Sequence, residues 1–428
     1  MAISPMPDAL HASASNPACT RRTAAPAAMV LALVVLAGCG GGGGGGSNPD
    51  APPPAEPRLA LATSPPALLQ VTPAPNVLPI ELGRGPRGTA FNTPFVSVTV
   101  CLPGTATCQT IDKVLLDTGS SGLRIDAAAL GSRVELPSLT TGEGAPVGQC
   151  LQFASGVTWG SVRRAEVRIA GQRTQAVSVQ VYDEPSTPAR PRPASCGVGN
   201  DLSLVLDANG ILGVGPQRQD CGAACERVAP PAIYFACSGG ACTATSVPRA
   251  NQVGNPIAAL PADNNGLAIL LPAVPAGGAS MVAGAAILGI GSRPNNPLGP
   301  ARVFAPDAEG FLSTTYQGAT HRAFLDTGTN SVRFPDAGLP LCGAFYCPPQ
   351  PGRLTATITS AEGVAKDIDF AFEAPDRVNA DAIAASIAGG GRLPHHVNWG
   401  LPFFFGRVVH VAIEGAATPA GPGPYWAF

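Results

Sequence analysis

The chain has 428 residues, of which only 13% are charged, and a formal net charge of −2. That balance excludes a polybasic nucleic-acid or membrane-surface binder, while the length allows two or more compact lobes with their own cores. With 52 Gly and 46 Pro, the composition suits short strands joined by many turns better than long charged helices.

At the amino terminus, Arg21 and Arg22 precede the apolar run Ala24–Ala37, which leads into Leu36-Ala37-Gly38-Cys39. Positive charge, a short apolar stretch and small residues at a cut are the order of a secretory signal. The run is too short to span a bilayer. Residues 1–38 are therefore expected to be a signal peptide. Leu-Ala-Gly-Cys resembles the lipobox of bacterial lipoproteins, which implies lipidation of Cys39. Gly40–Gly46 is flexible and the Pro/Ala-rich stretch after it stiffer, so 39–75 is expected to be a tether. By resemblance to known sorting, the absence of Asp just after Cys39 implies the outer membrane. The expectation is an exported protein, lipid-anchored in the bacterial cell envelope.

Of the twelve Cys, Cys19 falls in the presequence and Cys39 at the lipid position, leaving an even number. Cys101/Cys108, Cys221/Cys225, Cys237/Cys242 and Cys342/Cys347 are close pairs, and Cys150 and Cys196 remain for each other. An oxidising compartment favours disulfides in such a set. The spacings are not two-residue knuckles and no His sits nearby, so no metal or other cofactor is expected.

From Asn76 onward the pattern is strand and turn. Phe95–Val100 alternates, Cys101–Cys108 closes a hairpin loop, and Asp112–Leu116 runs into Asp117-Thr118-Gly119-Ser120. Ala165–Ile169 and Val177–Val181 are further alternating strands, with a loop at Pro185–Pro193. Residues 216–262, rich in Cys, Pro and Gly, are expected to be irregular. Only Asn379–Ala388 has a helical spacing, with Ile383 and Ile387 four apart. The fold class is all-β.

Residues 117–125 read DTGSSGLRI and residues 326–334 read DTGTNSVRF. Both follow Asp-Thr-Gly-hydroxyl-x-x-apolar-Arg-apolar, an internal repeat whose Arg residues are Arg124 and Arg333. Here the sequence resembles the pepsin-like aspartic proteases. Ala208–Gly215 and Asn398–Phe404 are similar to the apolar-apolar-Gly segments that thread beside each Asp loop in that family. Gln152–Gly160 is similar to its flap hairpin, residues 279–291 resemble the opening of its second lobe, and the leader resembles that of proteobacterial pepsin-like lipoproteins. The resemblance implies a bilobal double β-barrel with a cleft between lobes and few short helices. Its lobes would be 76–262 and 263–428, each with one motif.

Two carboxylates about 3 Å apart cannot both ionise, so such a pair shares a proton and titrates as a unit. The ionised member takes a proton from water and the protonated one polarises a peptide carbonyl. Asp117 and Asp326 are the expected catalytic pair. Gly119 and Gly328 let the backbone approach the carboxylates, and Ser120 and Thr329 sit where a hydroxyl reaches an outer oxygen. By resemblance, Thr118 and Thr327 brace the two loops across the lobe interface. The substrate implied is a peptide or unfolded protein. One chain supplies both halves, so a monomer is expected rather than a retroviral-type homodimer.

Three features depart from the family. Its flap Tyr and the Trp bonded to it are replaced, by alignment, with Phe153 and Arg124 in a hairpin that includes Gly156. Either Arg124 stacks on Phe153 by a cation–π contact worth about 0.5–2 kcal/mol, or it is a solvated strand residue like Arg333. A guanidinium turned to the cleft would lower the pKa of Asp117. Second, residues 40–75 hold one basic residue, Arg58, and no basic prosegment. Third, His395-His396 is a surface pair before a strand. The altered flap leaves a different class open: a catalytically silent lipoprotein of the same fold that binds a peptide, glycan or protein partner.

Overall fold

Alternating burial turns the sequence pattern into sheet. In the strand Pro94–Cys101, Val96, Val98 and Val100 face the core, while Ser97 is exposed and Thr99 half-buried between them, the two-residue period of a pleated strand. Each such apolar side chain contributes about 1.5–3 kcal/mol when fully buried. The computed structural model describes residues 74–184, 191–227, 232–275, 277–378, 383–391, 393 and 395–428. The signal peptide, Cys39 and the tether up to residue 73 lie outside them.

The architecture is mostly β, in barrel-like sheets. A fifteen-stranded and a nine-stranded sheet carry most of the chain. Among the described residues the α-helices are Ala127–Leu130, Leu202–Val205 and Ala224–Arg227, each of one turn. The larger sheet takes strands from both ends of the chain, because Val77–Leu82 pairs antiparallel with Val282–Leu288. That strand adjoins Gly266–Leu271, which adjoins Arg407–Ala412. The nine-stranded sheet is built from residues between Leu312 and Gly400.

Both Asp-Thr-Gly motifs leave their strands in the same way. The strand Cys108–Asp117 runs parallel to Gly210–Val214, setting Asp117 beside Gly213. Gly210–Val214 then pairs antiparallel with Ser121–Asp126. In the second copy, Ala319–Asp326 runs parallel to His396–Gly400, setting Asp326 beside Gly400, and that strand meets Val332–Phe334 antiparallel. The repeat in the sequence is therefore a repeat in topology. One apolar core includes Leu116 and Leu212 in the first copy and Leu325 and Trp399 in the second.

Among the described residues, five disulfides join the expected partners: Cys101–Cys108, Cys150–Cys196, Cys221–Cys225, Cys237–Cys242 and Cys342–Cys347. Among the described residues no helix is long and apolar enough to cross a membrane.

Two local expectations are corrected. Of the helix expected over Asn379–Ala388, residues 379–382 lie outside the described residues and the remainder is not helical. Ile383 exchanges backbone hydrogen bonds with Ala279 (2.9 and 3.0 Å), and the Ala384 amide donates to Asn92 Oδ1 (2.8 Å). Distant segments thus occupy the groups a helix would need. Residues 216–262 are also more ordered than expected. Tyr234–Ser238 and Ala241–Ala244 form a hairpin, held across its register by Cys237 and Cys242, and Tyr234–Ser238 pairs with Val147–Phe153.

Candidate active site

Each motif turns sharply out of a buried strand, and the two turns are bound to each other by matching hydrogen bonds. The Thr118 amide donates to Thr327 Oγ1 (3.1 Å) and the Thr327 amide to Thr118 Oγ1 (3.0 Å). Each hydroxyl then donates across the pair, Thr118 to the Leu325 carbonyl (3.0 Å) and Thr327 to that of Leu116 (2.6 Å). All four bonds are buried, so breaking one would strand a donor or acceptor away from water.

This lock brings the carboxyl groups of Asp117 and Asp326 face to face. The Gly119 amide donates to Asp117 Oδ1 and the Gly328 amide to Asp326 Oδ1, both at 2.8 Å. Neither glycine has room for a side chain. A Cβ on Gly119 would lie 2.7 Å from Asp326 Oδ1 and 3.2 Å from Asp117 Oδ1, and one on Gly328 would lie 2.7 Å from Asp117 Oδ1. The inner oxygens therefore crowd one small space. The outer oxygens are held by hydroxyls: Ser120 Oγ donates to Asp117 Oδ2, and Thr329 Oγ1 donates to Asp326 Oδ2 at 2.6 Å. Burial first, and then the neighbouring Asp326 carboxylate, push the Asp117 carboxyl up to about 7 from its ordinary 3.8, against the pull of Ser120 and Gly119. Such a pair can hold one proton and one charge at the same pH.

Arg124 is wholly buried, which corrects the solvated reading. Its guanidinium stands over the Phe153 ring, 5.9 Å from the centroid, and forms an ion pair with Asp220, Nη2 to Oδ2 3.0 Å. Nη1 donates to the carbonyls of Ser121 (2.9 Å) and Gly122 (3.2 Å). The Asp117 carboxyl is raised rather than lowered, by burial first and then by Asp326, while the guanidinium pairs with Asp220. Arg333 is likewise buried rather than solvated, with its guanidinium over Phe345 at 5.6 Å.

The hairpin of Val147–Phe153 and Gly156–Ile169 pairs Phe153 with Gly156 around the tip residues Ala154 and Ser155. Phe153 packs against the apolar cluster of Phe95, Leu115 and Leu202. Gly156 is buried against the chain at Asn200, whose carbonyl accepts the Val157 amide at 2.9 Å. Cys150–Cys196 ties that segment to the hairpin.

A family model described as a protein of unknown function (DUF3443) matches residues 72–428. The chain belongs to that family. Among solved structures, this DUF3443 member is similar to the crystal structure of an aspartic proteinase from Irpex lacteus, at 14% identity and a TM-score of 0.49, covering 82% of this chain and 96% of that one. No curated protein matches it in sequence.

Three residues of the site were not singled out from the sequence. Asn398 Nδ2 donates to Asp326 Oδ2 (2.8 Å) and contacts Thr329 Oγ1 (2.9 Å). The signal was present, since Asn398-Trp399-Gly400 carries a polar residue where residues 211–213 read Ile-Leu-Gly. Asp220, the partner of Arg124, had no signal beyond being a carboxylate beside Cys221. Asn92 bridges to the second motif, donating to the carbonyls of Asn330 (2.9 Å) and Ala384 (2.7 Å).

Proposed function

We propose that this chain is an aspartic endopeptidase that hydrolyses peptide bonds with a water activated between Asp117 and Asp326. The observation that carries the reading is the carboxyl pair itself: two buried aspartates from a repeated motif, glycine amides on their inner oxygens and hydroxyls on their outer ones. One carboxylate takes a proton from water as the water oxygen bonds to the peptide carbon, and the other carboxyl protonates the carbonyl oxygen. The resulting gem-diol collapses as the carboxyl that took the water's proton passes it to the departing nitrogen. The C–N bond breaks, and the other carboxylate recovers its proton from the gem-diol, giving an acid, an amine and the original pair. Since the raised Asp117 carboxyl stays protonated up to about 7, activity extends from acid to near-neutral pH.

Both carboxylates come from one chain, which favours a monomer, and the substrate class is an unfolded protein or extended peptide. Lipidation at Cys39 and a tether over 39–75 belong to the same reading, supported by the order of the leader. The five disulfides support export. An envelope location, in the outer membrane, completes it.

A second reading has one observation in its favour. The hairpin that would close over a peptide is bonded below its tip, at Val157, to the segment at Asn200 and tied there by Cys150–Cys196, as suits a protein that holds a peptide, glycan or protein partner without cutting. Incubating the detergent-solubilised full-length protein with an unfolded protein substrate from acid to neutral pH separates the two. Cleavage blocked by a pepstatin-like inhibitor supports the protease. Inhibitor or peptide binding by calorimetry without any cleavage supports the silent binder.

A further inference from the structure

The two halves of the site repeat each other in backbone and in their Asp, Gly and hydroxyl groups, but not at one position. In the first half, Ile211 stands across from Arg124 on the strand beside Asp117. In the second, Asn398 stands across from Arg333 on the strand beside Asp326. Ile211 is buried among Phe95, Leu115 and Leu202 and offers no polar group. Asn398 offers an amide 2.8 Å from Asp326 Oδ2. Among the described residues, Asp117 thus receives donors from Gly119 and Ser120 alone, whereas Asp326 receives them from Gly328, Thr329 and Asn398.

The orientation of the Asn398 amide follows from Thr329. That hydroxyl spends its proton on Asp326 Oδ2, so the group that meets both oxygens must itself be a donor. Turned over, the amide would set its oxygen against a carboxylate oxygen. The chosen orientation leaves Asn398 Oδ1 buried without a hydrogen-bond partner, a cost consistent with an amide held for its donor end.

We propose that Asn398 is a positioning residue that makes Asp326 the ionised, water-activating member of the pair and leaves the shared proton on Asp117. A third hydrogen bond favours the charged form of the carboxyl that accepts it, and apolar Ile211 gives Asp117 no equivalent. The raised Asp117 carboxyl agrees with this assignment. Other charged groups near the pair do not reverse it. Arg124, behind the first loop, is paired with Asp220. Arg333, beside Asn398, turns its guanidinium to the Ala344 carbonyl (3.1 Å) and the Phe345 ring. His321 lies five residues before Asp326 on its strand, and its pKa is lowered by burial and by His395 and His396, which favours the neutral ring. His396, two residues before Asn398, meets Phe311 edge-on at 5.4 Å.

The inference rests on the protease reading for its catalytic meaning, but the order of ionisation is measurable without turnover. Carboxyl carbon resonances of 13C-aspartate-labelled full-length protein, assigned with Asp117→Asn and Asp326→Asn, report each group during a pH titration. Asp326 is expected to ionise first. In Asn398→Leu its ionisation moves up by about one to two pH units, the equivalent of one hydrogen bond to a charged group, and the acid limb of kcat/KM moves with it. Ionisation of Asp117 first in the unmodified protein overturns the assignment, whether or not Asn398→Leu folds. An unchanged titration in a folded Asn398→Leu protein overturns the role of Asn398. If no substrate is cleaved while the ionisation order holds, the protease reading fails and the charge assignment stands.

Discussion

Arg124 and Asp220 form an ion pair with almost no exposure, 0% and 1% of their side chains, at 3.0 Å. The other Asp220 oxygen accepts from the Tyr234 hydroxyl at 2.7 Å, and Gln149 Nε2 adds a further bond. Through Arg124 Nη1 the cluster grips the carbonyls of Ser121 and Gly122, just after the first motif, and through Gln149 and Tyr234 it grips the hairpin and its neighbouring strand. Burial raises Asp220 to about 6 even though Arg124, Tyr234 and Gln149 pull it down.

A buried pair of this kind is costlier to break than to replace. Arg124→Ala is expected to destabilise the fold by about 3–5 kcal/mol, because it leaves the Asp220 charge unpaired. Arg124→Met combined with Asp220→Leu should recover most of that loss. Urea denaturation of the single and double variants measures both.

The pH dependence of stability follows from the raised carboxyls. Above about pH 4 the unfolded chain has released protons that folded Asp117 keeps up to about pH 7 and folded Asp220 up to about pH 6. Stability therefore falls as pH rises through that window. Thermal unfolding should give a higher Tm at pH 4.5 than at pH 7.5. Asp117→Asn should raise the Tm at pH 7.5 and flatten the dependence.

Asp207 acts in the opposite direction. Burial would raise its pKa, but donors at the Arg87, Thr89 and Ala90 amides and the Thr89 hydroxyl outweigh burial and hold it below the ordinary value. Its contribution is complete above pH 4 and is lost on further acidification. Asp207→Ala is expected to cost at least about 1.5–3 kcal/mol, the worth of one hydrogen bond to a charged group, and to reduce the acid sensitivity of unfolding below pH 4.

Gly119→Ala and Gly328→Ala each drive a methyl group into the opposite carboxyl, 2.7 Å from its Oδ1. Neither position needs a left-handed backbone, so the substitution acts through crowding at the pair. Hydrolysis is expected to fall by about 10²-fold or more, in line with the loss of positioned acid–base groups. Activity assays beside circular dichroism on the same samples separate that loss from unfolding.

What was legible in the sequence was local. Each Asp-Thr-Gly motif with its hydroxyl, each alternating strand and each short cysteine spacing is contained within a few residues. What was not legible depends on contacts across long separations. Whether Arg124 was solvated turned on Asp220, 96 residues away. The helical spacing of Ile383 and Ile387 was genuine, but Ala279 and Asn92 claim the nearby backbone. Asn398 was visible as a polar residue in an apolar segment, and only the parallel pairing of its strand with that of Asp326 gave it a role.

The most direct measurement is cleavage of an unfolded protein by the full-length chain beside its Asp117→Asn and Asp326→Asn variants. Hydrolysis by the unmodified protein from acid to near-neutral pH, reduced by about 10²–10⁴-fold in each variant, is the expected result. Absence of cleavage by the folded, unmodified protein throughout that range, or cleavage indifferent to both substitutions, would contradict it.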